Sequence, residues 1–178
     1  MSKLIDFYNG EPNPKGRTLE SIWEFDFLAL ENIHDYIQWL FPIIEPRYFT
    51  RDVPSLLTSD IRQFKNDKNL KRNLLISFLT MLNFYGLDGS VDDSRTFTVY
   101  KGENYEERRL CWQTGRNHNF LRITRILISL KLLGCEEISL AFYKCLMKLV
   151  EEDSAGFNFT SLMYWKDAVK ELLIYALD

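Results

Sequence analysis

The chain has two histidines, and each stands in a run where charged and amide side chains recur at helical spacing. In the run from Glu31 to Pro42, a period of about 3.6 residues puts Ile33, Tyr36, Ile37 and Leu40 on one face. Glu31, His34, Asp35 and Gln38 then fall on the opposite face, with Trp39 at the border. Between Asn117 and Leu133, His118, Arg122, Arg125 and Ser129 recur at i, i+4, i+7 and i+11 and form a narrow stripe. The rest of that helix is mostly apolar, with Phe120, Ile123, Leu127 and Leu130, as expected of a buried helix. Its arginines must then be paired or face a cavity, because an unpaired buried charge is costly.

Two chemistries fit this pattern. One is an internal ion-pair network in which Arg122 and Arg125 meet Glu31 and Asp35. The other is a cationic groove that receives a peptide or small anionic ligand, since arginine holds carboxylate and phosphate bidentately. In such a groove Arg122 and Arg125 clamp the anion, and Arg116, His118 and Asn119 extend the surface. His34 and Gln38 hydrogen-bond, and Trp39 supplies an apolar wall. Both readings hold together if one arginine is paired and the other is open.

Enzymatic alternatives have thinner support. Glu31-x-x-His34 has the spacing by which di-iron bundles hold metal, but the chain has no second such pair. A metal- or histidine-dependent enzyme would have to use Glu31, His34 and His118. Asp88-x-Ser90-x-Asp92 fails as a calcium loop, because Asp93 stands where glycine is needed and Val99 where glutamate is needed. No phosphate loop, dinucleotide fingerprint or nucleophile elbow is present. The reading is a non-enzymatic recognition domain with no cofactor, no metal and no assigned catalytic residue.

With 178 residues, 46% of them apolar, the chain is long enough for one domain over 1–178 with a substantial core. A net charge of −3 argues against a dedicated nucleic-acid binder. Cys111, Cys135 and Cys145 form no C-x-x-C pair and read as reduced structural thiols. The N-terminus has no apolar stretch of signal-peptide length. The longest uncharged run, Asn73 to Leu87, is too short to span a membrane. These features point to a soluble, cytoplasmic protein.

The elements that must carry the two polar stripes are helical. Thr18 is placed to cap a short helix through Trp23, and Asp26 a second from Phe27 to Phe41, which Pro42 ends. Pro46 and Pro54 punctuate a linker, and Thr58 or Ser59 opens a helix through Phe64. Asp67 caps a longer one from Lys68 to Tyr85, with Gly86 as its terminator. A polar insertion near 87–104 follows, in which Thr96 to Tyr100 alternates like a short strand. Helices resume at Tyr105 to Gln113, Asn117 to Leu133, Glu136 to Glu152 and Ser161 to Leu177, where Trp165 and Val169 share a core face. The expected fold is all-α, a single compact bundle of about seven or eight helices.

Several ordered motifs also resemble a known family. They are Phe7-Tyr8-Asn9-Gly10, Gly16-Arg17-Thr18-Leu19-Glu20, the His34 to Pro42 run and Phe84-Tyr85-Gly86-Leu87. Further on come His118-Asn119-Phe120-Leu121-Arg122-Ile123-Thr124-Arg125-Ile126-Leu127 and Tyr164-Trp165. From about Phe7 to Val169 the chain resembles the conserved region of the opioid growth factor receptor family. The resemblance implies a receptor-like recognition module. Members with the receptor name bind Met-enkephalin and restrain cell proliferation from the nucleus. It implies no catalytic residue. Vertebrate-type members continue into repeats that this sequence lacks, so the chain resembles a minimal microbial member. A third role, docking a protein partner on the segment from Gly86 to Asn104, remains open beside the ligand-binding and enzyme readings.

Overall fold

Local capping chemistry sets several of the helix starts in the computed structural model, which describes residues 2–44 and 53–175, with backbone alone from 172 onward. Ser2 accepts from the Ile5 amide and opens α1 (Lys3–Tyr8). Thr18 and Ser21 form a reciprocal capping box at α2 (Leu19–Trp23), and Asp26 accepts from the Ala29 amide at α3 (Phe27–Asn32). A single turn, α4 (Ile37–Leu40), precedes α5 (Thr58–Asn66). Asp67 then caps α6 (Lys68–Tyr85) through the amides of Asn69 and Leu70.

Gly86 ends α6 at φ +76°, and a Cβ there would lie 2.7 Å from the Tyr105 Cα. The position therefore requires glycine both for its left-handed backbone and for the close passage of the next helix. A hairpin follows, β1 (Leu87–Val91) paired antiparallel with β2 (Phe97–Lys101). The chain closes with α7 (Tyr105–Trp112), α8 (Asn119–Leu132), α9 (Glu136–Glu152) and α10 (Phe159–Tyr175). Helix α8 packs against both α9 and α10, which also touch each other. Phe120, Ile123, Leu127 and Leu130 of α8 are all buried, and Trp165 donates from Nε1 to the Phe120 carbonyl at 3.1 Å.

Three expectations need correction. The chain is mostly helical, not all-α, because the 87–104 insertion is the β-hairpin. Its first strand lacks alternation in the sequence, and it pairs because Gly89 leaves room for the Phe97 ring, 2.8 Å from where a Cβ would sit. The helices number ten among the described residues, not seven or eight, and α1 carried no signal that set it apart. The expected helix from Phe27 to Phe41 is broken: Ile33 is extended, at φ −88° and ψ 125°. Pro46 and Leu177 lie outside the described residues. Among those residues no helix is long and apolar enough to cross a membrane.

Candidate functional site

The break after α3 is where the two polar runs meet. A helix leaves its last carbonyls without intrahelical donors, and here Arg122 of α8 supplies them. Its Nη1 donates to the Leu30 carbonyl at 2.7 Å, and its Nη2 donates to those of Glu31 at 3.2 Å and Ile33 at 3.0 Å. Arg122 is only 5% exposed, and its guanidinium also lies 5.5 Å from the Tyr36 ring centroid. A cation at a helix C-terminus is further favoured by the helix dipole. The arrangement closes α3, turns the chain and fastens it to α8.

Asn119, fully buried, joins this cluster to a carboxylate. Its Oδ1 accepts from Arg122 Nη1 at 3.1 Å, and its Nδ2 donates to Glu31 Oε2, also at 3.1 Å. Asn117 positions it, because the Asn119 amide donates to Asn117 Oδ1 at 2.9 Å at the start of α8. Glu31 Oε1 lies 3.3 Å from His118 Nε2. Burial holds the His118 imidazole below the usual histidine value, against the opposing pull of Glu31, and the charges of Arg122 and His34 push the same way as burial.

His34 lies in the broken segment, not on a helix, and the residue is exposed. It packs edge to face on His118, with centroids 5.2 Å apart. Its Nδ1 is 3.1 Å from Arg122 Nη2. A guanidinium can only donate, so Nδ1 accepts and the ring proton sits on Nε2. Gln38, with its amide nitrogen turned toward the bend, donates to the His34 and Asp35 carbonyls at 3.1 Å each.

The other expected residues are placed differently. Asp35 pairs with Lys15 and with Arg17 Nη1 at 2.8 Å, not with the arginines of α8. Burial raises its carboxyl, but the hydrogen bonds from Lys15 and Arg17 outweigh that and hold it below the ordinary aspartate value. Arg125 donates from Nη1 to the Phe41 carbonyl at 3.3 Å, and burial pulls its pKa down to about 10. The pairing of Arg122 with Glu31 and Asp35 is thus replaced by bonds to backbone carbonyls. Arg116 is exposed in the turn before α8. Trp39, 4% exposed, packs edge to face on Phe7 at 5.0 Å and borders a separate cleft with Lys3 and Glu11.

The structure therefore brings Glu31, His34, Gln38, His118, Asn119 and Arg122 together and leaves Trp39 elsewhere. Sequence reasoning missed Lys15 and Arg17 as partners of Asp35, and it missed the carbonyls that occupy Arg122. The one available signal was the pair of arginines on an apolar helix, which demanded partners without identifying them. Glu31, His34 and His118 are neighbours, yet among the described residues no group of three or more His, Cys, Asp or Glu side chains is arranged to hold a metal ion. Burial raises the Cys135 and Cys145 thiols to about 11, so neither is an activated nucleophile.

Comparison with known proteins agrees with the motif pattern. The family described as the opioid growth factor receptor conserved region matches residues 3–173. The human opioid growth factor receptor is 35% identical over 175 residues, covering 93% of this chain and 25% of its own length. The mouse opioid growth factor receptor-like protein 1 is 32% identical over 179 residues, covering 96% of this chain and 37% of its own. The chain thus spans only 25% and 37% of the length of these two relatives. No solved structure matches it significantly. With nearly its whole length matched by the family pattern, and with Arg122 and His34 meeting where two of its motifs meet, the chain belongs to the opioid growth factor receptor conserved-region family.

Proposed function

We propose that the chain is a non-enzymatic recognition domain that binds a peptide or small anionic ligand over the Arg122 cluster. The observation that carries this reading is the orientation of His34. Arg122 holds Nδ1, which leaves Nε2–H as a donor on an exposed residue. Arg122 itself is spent on carbonyls, so it acts as a buried positive charge that orients His34, not as an exposed clamp. An anionic group at this surface would accept from His34 Nε2, with His118 and Arg116 at the rim. Asn119, Gln38 and Arg125 hold the surrounding backbone and side chains in place. The relatives' names contain the word receptor, which fits a ligand-binding role.

A thermal-unfolding screen against acidic peptides, Met-enkephalin, nucleotides, inorganic phosphate, divalent metals and short DNA tests the reading. A ligand at about a hundred times its dissociation constant stabilises the folded state by roughly 2.7 kcal/mol. In a domain of this size that is a rise of about 5–10 °C. The expected result is a rise with an anionic probe that disappears in His34→Ala. A rise that survives this substitution, or no rise with any probe, overturns it.

A further inference from the structure

The β-hairpin and α9 enclose a groove of about 570 Å³ that the Arg122 cluster does not touch. Its walls come from the hairpin turn and β2 on one side and from a single face of α9 on the other, and no residue of β1 lines it. It therefore runs along the outer side of β2. Two hydrogen bonds fix which backbone groups point there. Gly102 N donates to Gly86 O at 2.9 Å, and Asp92 N donates to Thr96 O at 3.0 Å. Bonded pairs in an antiparallel ladder recur every second residue. Tyr100 and Thr98, paired with Asp88 and Ser90, thus direct their N–H and C=O groups toward β1. Those of Phe97, Val99 and Lys101 point away from it, and among the described residues no strand pairs with them.

Such an edge is a template for another strand, and proteins normally blunt it with proline, bulges or covering elements. Here β2 reads Phe-Thr-Val-Tyr-Lys, with no proline or glycine. The groove also selects by charge. Arg95, Lys144 and Lys148 line it against the single carboxylate of Glu137, on a chain whose net charge is −3. Lys144 and Lys148 are exposed and have no salt-bridge partner among the described residues. Leu140 and Val99 supply apolar floor between them. Arg95 sits at φ +62° in the hairpin turn, where glycine or asparagine would be less strained.

We infer that the groove between β2 and α9 captures an acidic peptide in extended conformation, which adds to the Phe97–Lys101 edge as a third strand. Main-chain bonds to Phe97, Val99 and Lys101 would hold it, alternate side chains would lie on the apolar floor, and carboxylates would meet Lys144 and Lys148. This site is independent of the His34 surface.

The test uses a fluorescein-labelled hexapeptide of alternating glutamate and valine, followed by polarisation. A lysine–valine peptide is the charge control. Two further glutamate–valine peptides carry N-methyl groups on alternate amides, one on each edge. Binding should weaken about tenfold or more in Lys144→Glu/Lys148→Glu, and the lysine–valine peptide should not bind. Only one of the two methylated peptides should lose binding, because only one edge of the added strand faces β2. The amide resonances of Phe97 and Val99 should shift on binding. Equal binding of both methylated peptides, unchanged affinity in the charge-reversed variant, or no binding to the folded chain would overturn the inference. So would self-association through β2, seen as a dimer that Val99→Pro dissociates. His34→Ala should leave this binding intact, which separates the result from any at the Arg122 cluster.

Discussion

The carbonyl of Leu30 receives two donors: Arg122 Nη1 at 2.7 Å and the Tyr36 hydroxyl at 2.9 Å. One side chain comes from α8 and the other from the bend itself, so this single acceptor is the point at which α3, the bend and α8 are joined. The family motifs around His34 and Arg122 are thereby tied by a structural bond as well as by any site they form.

Arg122→Lys should be nearly as damaging as Arg122→Ala. The ammonium of lysine is a point donor on a flexible stem and cannot span the carbonyls of Leu30, Glu31 and Ile33 as the planar fork does. Carbonyls left without donors in a buried setting cost about 1–3 kcal/mol each. A loss of roughly 3–5 kcal/mol is expected for the alanine variant and more than about 2 kcal/mol for lysine. Urea unfolding of the two variants checks this, and a lysine variant within about 0.5 kcal/mol of the parent would refute the spanning role.

The features legible in the sequence were the ones set by local chemistry. Asp67 and Gly86 announce the ends of α6 because a carboxylate cap and a left-handed glycine act within one turn. Glu136 to Glu152 was likewise readable from its period. The break at Ile33 was not, because the alternation of polar and apolar residues through it fits a continuous helix. What ends α3 is Arg122, 92 residues away from Leu30 in sequence, offering better partners than the next helical turn would. β1 was hidden for a similar reason: its pairing depends on Gly89 admitting a ring from β2. The candidate residues were singled out by type, and their contacts were decided by packing that no spacing encodes. Arg122 became a structural donor, Trp39 a core residue, and Asp35 the partner of Arg17.

Tyr85 offers a separate check on the packing around this cluster. Its hydroxyl is fully enclosed and has no hydrogen-bond partner among the described residues, and burial, with Tyr36 and Glu31 nearby, pushes its pKa well above the ordinary tyrosine value. A buried hydroxyl without a partner costs about 1–3 kcal/mol. Tyr85→Phe removes the hydroxyl and keeps the ring contacts with Phe84 and Trp112. The variant should be more stable by about 1 kcal/mol, a rise in melting temperature of roughly 2–4 °C. A fall would mean that the hydroxyl is satisfied by an enclosed water and belongs to the polar network.

His118 should make stability fall with acid in the histidine range. Its imidazole is held below the ordinary value of 6.5, first by burial and then by the charges of Arg122 and His34, with Glu31 opposing them. Between the folded and unfolded values the unfolded chain binds more protons, so stability rises with pH across that interval and is lost as pH drops below 6.5. The ring is 41% exposed, and solvent screening limits the effect to less than about 1 kcal/mol. Asp35 does not confuse the reading, because its lowered carboxyl contributes stability that is lost only as pH falls below the ordinary aspartate value of 3.8. Melting curves from pH 7.5 to 5 should therefore slope less in His118→Asn than in the parent (about 7 to 5 being the informative span). Identical slopes would show that Glu31 compensates the imidazolium fully, and would assign any residual acid sensitivity to other groups.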